Sequence, residues 1–418
     1  MIEKILNSNK SFQLPAMKKL LIALLSALLI IPIDITNGYW QSFSIPIIAV
    51  IIPFASVFLL ISNSRESLLL LIAIFFATLA IVAVLPFASS VSFKPFGSLF
   101  LFFSPVTFYF LSRRIINSNG GFVFFLRTCL YSAALLVLSL YFSIFVLGDG
   151  LVRETGIMNG DFFRLPLAGA YGVHTLVAHY FLICIIVFYF AKSGHANDFE
   201  VFVSWVVVLF LTYLMIFSLS REVLLAIIVT TAILIFRYLS KSKAIILFSL
   251  LIFIGYLGVL YLFDENSSWA TKIAQTMDAG DLNELSSGRI ELQILALNQL
   301  ANSPFTGTGF QGYELNFISS ESYDDLRGWS THAYYLTTIW KMGFIAGSIY
   351  FAFFFIAIKD AMVFSRKYFY ESHKMFAVAI FCFLIFINLL WDALLATSVM
   401  SLFSFLIGSM QIRKSPLH

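Results

Sequence analysis

The chain has 418 residues, of which 60% are apolar and only 11% are Asp, Glu, Lys or Arg, and its mean hydropathy is +0.93. Soluble domains carry about 25% charged and about 45 to 50% apolar residues, so a single soluble core, a disordered chain and a nucleic-acid-binding protein are excluded. The net charge of +4 says little about ligands, because basic residues in such a chain mainly set its orientation in a membrane.

Apolar runs of about twenty residues, bounded by polar clusters, predict transmembrane α-helices. The predicted spans lie near residues 18–36, 43–61, 68–88, 96–111, 122–147, 171–191, 199–219, 223–236, 244–263, 334–358, 375–391 and 396–411. The sequence therefore predicts an all-α integral membrane protein with about 12 transmembrane helices, organised as a single polytopic domain over residues 1–418.

The distribution of charge along these spans predicts their orientation. With a cytoplasmic N-terminus, most of the 26 basic residues fall on the cytoplasmic side and most of the 22 acidic residues fall outside. Both termini are then cytoplasmic. The first run, behind Lys18 and Lys19, resembles a signal sequence without a small-x-small cleavage site, so it is interpreted as a retained signal anchor in a bacterial inner membrane.

Two outside segments are too long for simple turns and are predicted as periplasmic loops, 148–170 and 264–331. The second loop, between spans 9 and 10, contains an amphipathic pattern over 289–302. Its apolar residues at helical spacing are Ile290, Ile294, Leu297 and Ala301, widened by Leu292, Leu295 and Leu300, and the run stops at Ser303 and Pro304. We expect a surface helix on the outer face of the membrane, with its apolar stripe in contact with lipid.

Two cations on the outer face are candidates for binding a phosphate group. Arg221 lies in a hairpin so short that its guanidinium, a planar fork of donors, must stay at the membrane face. The alternative is an interfacial Arg paired with Glu222 or reaching lipid headgroups. Arg289 stands at the start of the predicted amphipathic helix, where free N–H groups and the helix dipole already favour an anion. The alternative interpretation of Arg289 is an ordinary solvent-exposed arginine at the start of a helix.

His332 is the candidate proton acceptor. It lies at the junction of the long loop with the tenth span, and an imidazole there exchanges protons near neutral pH. The alternative is a histidine at the membrane interface that is hydrogen-bonded to the loop and takes no part in catalysis. His174 and His179, in the sixth span, are interpreted as packed polar residues.

No cofactor or metal site is predicted. Gly307-Thr308-Gly309-Phe310-Gln311-Gly312 formally matches a dinucleotide fingerprint, but it follows Pro304 in a periplasmic loop and lacks the strand and helix that the motif needs. It is interpreted instead as a glycine-rich turn that allows close backbone packing. The three cysteines, at positions 129, 184 and 382, lie within apolar runs and are interpreted as small buried apolar side chains.

Three local patterns, taken in order on one membrane face, resemble the O-antigen ligase and O-antigen polymerase superfamily of membrane glycosyltransferases. The first is Arg221-Glu222-Val223-Leu224-Leu225, an Arg-x-x-x-Leu pattern. The second is the Arg289 helix that ends in Ser303-Pro304-Phe305-Thr306-Gly307. The third is His332, followed after the usual spacing by Gly343; here Ala333 and Ala346 depart from the family pattern.

The resemblance implies a metal-independent glycan transfer from undecaprenyl diphosphate to an acceptor hydroxyl at the periplasmic face. It implies that Arg221 and Arg289 bind the substrate diphosphate and that His332 is catalytic, as a base. The surface helix and Phe-rich spans are expected to form a lipid-facing groove for the polyprenyl tail. A chain-length regulator and a flippase are the expected protein partners, besides membrane lipid.

Three functions remain open. An O-antigen polymerase moves the growing glycan onto a new lipid-linked repeat unit, and this function is favoured because the irregular sequence and the altered His pattern are typical of a divergent family. An O-antigen ligase moves the glycan onto lipid A-core in lipopolysaccharide biosynthesis. A lipid-linked glycan flippase or transporter is the third, but transporters place charges near the bilayer midplane, which is nearly uncharged here.

Overall fold

The computed structural model describes residues 14–31, 55, 94–116, 118–142, 173–217, 228, 289–308, 333–368 and 397–410. Every regular element in these ranges is helical, in agreement with the predicted all-α fold. The helices are α1 (Ala16–Ile30), α2 (Lys94–Ile115), α3 (Asn119–Tyr141), α4 (Val173–Lys192), α5 (Asp198–Phe217), α6 (Arg289–Asn302), α7 (Tyr334–Tyr368) and α8 (Thr397–Ser409).

All of these helices except α6 coincide with a predicted span. Three stretches are long and apolar enough to cross a membrane: Asn119–Tyr141, Asp198–Met215 and Tyr334–Ala361. Two shorter apolar helices are Ala178–Lys192 and Val399–Ser409. The chain is therefore an integral membrane protein.

Apart from Ala55 and Ile228, five predicted spans lie outside the described residues, near 43–61, 68–88, 223–236, 244–263 and 375–391. So do the predicted loop 148–170 and most of 264–331. The number of spans, the sides of the termini and the topology of the loops thus stay predictions.

The connection between α4 and α5 is fixed by a reciprocal cap. The backbone N–H of Glu200 donates to Asn197 Oδ1 at 2.9 Å, and the N–H of Asn197 donates to Glu200 Oε2 at 3.0 Å. These bonds satisfy two donors at the start of α5 that have no partner within the helix. The same Glu200 carboxylate lies 2.7 Å from Arg127 Nε of α3, so one side chain both caps α5 and joins it to α3.

Buried polar contacts join α1 to the helices beside it. Ser26 Oγ lies 2.7 Å from Thr128 Oγ1 of α3. His179 of α4 is fully buried, and its Nε2 donates to the carbonyl of Ile30 at 3.0 Å. Because Ile30 ends α1, its carbonyl has no partner within the helix, and the imidazole supplies one. The interpretation of His179 as a packed polar residue is confirmed.

Helix α8 packs closely along α2, and Gly408 permits the approach. A Cβ on Gly408 would collide with Ser112 Oγ and with the carbonyl oxygen of Tyr109. The aromatic rings of Phe125 in α3 and Phe405 in α8 contact each other, with centroids 5.1 Å apart. This core also contains Cys129 and Cys184, which are free and buried as predicted; Cys382 lies outside the described residues.

Candidate functional site

The three candidate site residues lie at or beyond the edges of the described segments. Arg289 is the first residue of α6, and the helix has the bounds predicted for it, 289–302. His332 lies just outside the described residues, two positions before Tyr334, where α7 begins. Arg221 also lies outside them. The convergence of the three side chains therefore stays a prediction, but the helices that flank two of them are described.

Helix α6 packs on the beginning of α7. Leu292, Ala296 and Leu300 are buried, together with Trp340 of α7, in a cluster separate from the main core. Leu336 and Ile339 of α7 line the same cluster. Leu292 is three residues from Arg289, and Leu336 is four residues from His332. Each candidate is thus only three or four residues along the chain from a residue of the packed surface.

Helix α6 has apolar residues on two faces, and the structure assigns them different neighbours. At 100° per residue, Ile294 lies about 160° and Leu297 about 100° around the helix from Ala296, the middle residue of the stripe of Leu292, Ala296 and Leu300. The first stripe is buried against α7, whereas Ile294 is 53% and Leu297 is 51% exposed. Two of the leucines that widen the sequence pattern, Leu292 and Leu300, therefore form the contact with the protein, while the expected contact of α6 with lipid stays a prediction.

Exposed apolar side chains also occur just beyond α6 and on α7. Phe305, just beyond α6, is 66% exposed, and Phe344 and Ile345 of α7 are about half exposed. The carbonyl oxygen of Phe305 lies against Gly343, immediately before Phe344. Exposed apolar side chains thus occur on α6, just beyond it, and on the part of α7 that is apolar enough to cross a membrane.

A side-chain hydrogen bond joins α6 to α7 across the packed surface. Trp340 Nε1 donates to Gln299 Oε1 at 3.0 Å. The Trp340 side chain is fully buried, so its N–H has no access to bulk water and needs a partner within the protein. Gln299 supplies that partner from the packed face of α6.

Helix α7 is interrupted at Gly343, and the turn after α6 fills the break. Gly343 has φ 71° and ψ 174°, which is not a helical conformation. In a regular helix the N–H of Phe344 would donate to the Trp340 carbonyl. Here that N–H donates to the Pro304 carbonyl at 2.8 Å, and the Trp340 carbonyl accepts from the N–H of Thr308 at 2.8 Å. The 303–308 turn thus replaces the helical bond with two bonds of its own.

This junction depends on two glycines. Gly307 and Gly343 both have positive φ, near 70°, a conformation that residues with a Cβ rarely adopt. A Cβ on Gly307 would collide with backbone atoms of Lys341 and Gly343, and one on Gly343 would collide with Phe305 and Gly307. The prediction of a turn that allows close backbone packing is confirmed at Gly307, and its neighbour is the glycine of the His332 pattern.

Gln299 and Trp340 are not among the candidates that the sequence suggests. A signal is present in the sequence, since Gln299 falls on the same helical face as Leu292 and Ala296, where an amide needs a buried partner. The identity of that partner cannot be read from the local pattern, because it lies 41 residues along the chain. Among the described residues, no group of three or more His, Cys, Asp or Glu side chains is arranged to hold a metal ion.

The fold and the junction define an integral membrane protein in which the short helix α6 is docked on the interrupted apolar helix α7. A family model described as O-antigen ligase matches residues 206–351, about a third of the chain. The matched region begins within α5 and includes α6, the 303–308 turn and the break at Gly343. The match supports the O-antigen ligase and polymerase superfamily. None of the curated proteins compared with this chain matches it.

Proposed function

We propose that this protein is an O-antigen polymerase, which transfers a growing glycan from undecaprenyl diphosphate to a hydroxyl of a new lipid-linked repeat unit at the periplasmic face. The observation that supports this best is the junction of α6 with α7. The Arg289 helix with its Pro and Gly ending, and the Gly343 spaced from His332, are two separate motifs of the superfamily. In the structure their backbones are hydrogen-bonded to each other.

The proposed reaction needs no energy source beyond its donor. The acceptor oxygen bonds to the anomeric carbon of the donor sugar, and the bond from that carbon to the diphosphate breaks. His332 accepts the hydroxyl proton, a contribution of about 10² to 10⁴-fold in rate. Arg221 and Arg289 neutralise the charge that develops on the departing diphosphate, which is worth several kcal/mol in comparable sites. Undecaprenyl diphosphate is the second product.

An O-antigen ligase is the second candidate, because the matching family model bears that description. The donor and the proposed roles of Arg221, Arg289 and His332 are the same in both reactions. The difference is the acceptor, which is lipid A-core for a ligase. The departures at Ala333 and Ala346 from the His332 pattern lead us to place the polymerase first.

The lipopolysaccharide gel pattern of a strain lacking this protein separates the candidates. A lost polymerase leaves single repeat units on lipid A-core, whereas a lost ligase leaves lipid A-core bare and lipid-linked polymer accumulates. If purified protein in vesicles moves labelled lipid-linked glycan across the bilayer and forms no glycosidic bond, both the polymerase and the ligase function are rejected in favour of a transporter.

The site residues are tested by transfer assays on purified protein with a lipid-diphosphate glycan donor. We expect Arg289→Ala and His332→Ala to lower turnover by at least about 10²-fold. Matched controls are Arg114→Ala and His195→Ala, since both of these side chains are exposed and neither belongs to α6 or α7. Wild-type turnover in folded Arg289→Ala and His332→Ala proteins would contradict the assignment.

A further inference from the structure

We infer that α2 and α8 bind a buried water molecule between them, through the hydroxyls of Ser104, Ser401 and Ser404 and the backbone carbonyl of Leu101. The inference is independent of the proposed function, because none of these residues belongs to the α6 and α7 junction. It assigns a polar binding site to a contact between two apolar helices.

Three buried serine hydroxyls carry the inference. Ser104, Ser401 and Ser404 are at most 1% exposed, and their Oγ atoms have no hydrogen-bond partner among the described residues. A helical serine can donate to the carbonyl three or four residues earlier. Ser112 of α2 and Ser409 of α8 do so, at 2.8 and 2.7 Å. The other three hydroxyls make no such bond, so they need a different partner.

The closest approach of the two helices shows which faces meet. Gly408 of α8 lies against Ser112 Oγ and the Tyr109 carbonyl of α2. Ser404 and Ser401 precede Gly408 by four and seven residues, so they lie on the same face of α8. The last turn of α8 thus meets α2 close to where α2 ends, yet the two helices share the most extensive contact among the described helices. Such a contact requires that both helices run in the same direction.

Pro105 of α2 lies level with the two α8 hydroxyls. It precedes Ser112 by seven residues, the interval that separates Ser401 from Gly408, and both helices rise equally per residue. Proline has no N–H, so the carbonyl of Leu101 loses its usual partner in the helix. At membrane depth, a carbonyl freed by proline is satisfied by a neighbouring side chain or by an ordered water.

A water molecule matches this set of groups. Buried waters make about three hydrogen bonds to groups that otherwise lack partners. Each serine hydroxyl can donate or accept, whereas the Leu101 carbonyl only accepts, and a water molecule can complement both kinds of group. Hydroxyls left unpaired in apolar surroundings would instead destabilise the contact between α2 and α8.

The experiment is a double-mutant cycle of Ser104→Ala and Ser404→Ala in the full-length protein, followed by thermal unfolding in detergent micelles. We expect each single variant to lower the unfolding temperature by roughly 1 to 3 °C, because each removes one bond to the water. The double variant should lower it by less than the sum, because the two hydroxyls share a ligand without bonding to each other.

Ser409→Ala is the matched control, since Ser409 is also buried on α8 but its hydroxyl is bonded within its own helix. Its effect should add to that of Ser104→Ala. An ordered water within hydrogen-bonding distance of Ser104 Oγ and Ser404 Oγ, in an experimental density map that shows solvent, would support the site directly.

Three results would overturn the inference. An unchanged or raised unfolding temperature in the single variants would show that the hydroxyls are dry, because alanine then removes an unpaired polar group. Additive losses in the cycle of Ser104→Ala with Ser404→Ala would show that the two hydroxyls share no ligand. Stabilisation by Na⁺ over K⁺ at equal ionic strength, lost in Ser404→Ala, would assign a cation to the site in place of water.

Discussion

Gly307 and Gly343 carry two different constraints, and each has a separate physical cause. Their positive φ excludes most side chains whatever the surroundings, because a Cβ in that conformation approaches the following carbonyl oxygen. Their contact with one another excludes a Cβ for want of space. Gly194, in the turn between α4 and α5, has φ 74°, but no atom lies within 4 Å of the position that a Cβ would take, so it carries only the first constraint.

This contrast yields a prediction for alanine substitutions. Gly194→Ala should lower the free energy of unfolding by about 1 to 2 kcal/mol, the cost of the backbone conformation alone. Gly307→Ala should lower it by about 1 to 3 kcal/mol more, since the turn must also move away from α7. Thermal unfolding in detergent micelles measures both. Gly347→Ala, where a methyl would make ordinary contact with Ile339, is the control for a helical glycine.

Equal losses from Gly194→Ala and Gly307→Ala would show that the backbone contact between the turn and α7 adds nothing to stability. Detachment of the turn has a second signature. The Phe344 and Thr308 amides would lose the hydrogen bonds that they make across the junction, so their hydrogen exchange should accelerate in Gly307→Ala but not in Gly194→Ala.

At the level of elements, α6 is held to the protein by one of its two apolar faces. Leu300 is 4% exposed and belongs to the cluster with Trp340, whereas Leu297 is 51% exposed on the other face. The two leucines are only three residues apart and have the same side chain. The same substitution, Leu to Ala, can therefore be made on each face, and only the one at Leu300 removes a contact with α7.

We expect Leu300→Ala to destabilise the docking of α6 by about 2 to 4 kcal/mol, because it leaves a cavity against α7. Leu297→Ala should change the docking by less than about 1 kcal/mol, since its side chain is half exposed and leaves no closed cavity. Hydrogen exchange of the α6 amides reports the docking directly. Equal acceleration of exchange in both variants would contradict the two-faced arrangement.

The bounds of the helices could be predicted from the sequence better than the surfaces against which they pack, and α6 shows why. Its bounds follow from local signals, namely the apolar spacing and the stop at Ser303 and Pro304. The face of α6 that packs against the protein is the one that contacts Trp340. Hydrophobic periodicity identifies the apolar residues, but it does not show whether lipid or protein covers them. The candidate site is limited in the same way: the position of Arg289 at the start of α6 follows from a local signal, but the bond between Gln299 and Trp340 is a tertiary contact.

At the level of the whole molecule, a second polar junction lies apart from α6 and α7. The Glu200 side chain is 1% exposed and lies 2.7 Å from Arg127 Nε, and it accepts a hydrogen bond from Tyr131 at 2.9 Å. Arg127 also donates to the carbonyl of His195 in the turn between α4 and α5. The junction thus joins α3, α5 and the turn before α5. In the predicted orientation it lies on the cytoplasmic side, opposite the proposed site.

This separation predicts that stability and catalysis respond to different residues. Arg127→Met removes the cation but keeps an apolar stem, and it leaves the buried Glu200 carboxylate with Tyr131 and Asn197 as its remaining donors. We expect a loss of about 1 to 3 kcal/mol, below the value for a fully buried pair because the Arg127 side chain is 38% exposed. Tyr131→Phe should cost about 1 kcal/mol, the contribution of one hydrogen bond.

Thermal unfolding in micelles gives both values, and the transfer assay at a temperature where the variants stay folded should give wild-type turnover. A drop in turnover without a loss of stability would mean that the Arg127 junction is coupled to the reaction across the membrane, and would contradict the assignment of catalysis to the α6 and α7 junction alone.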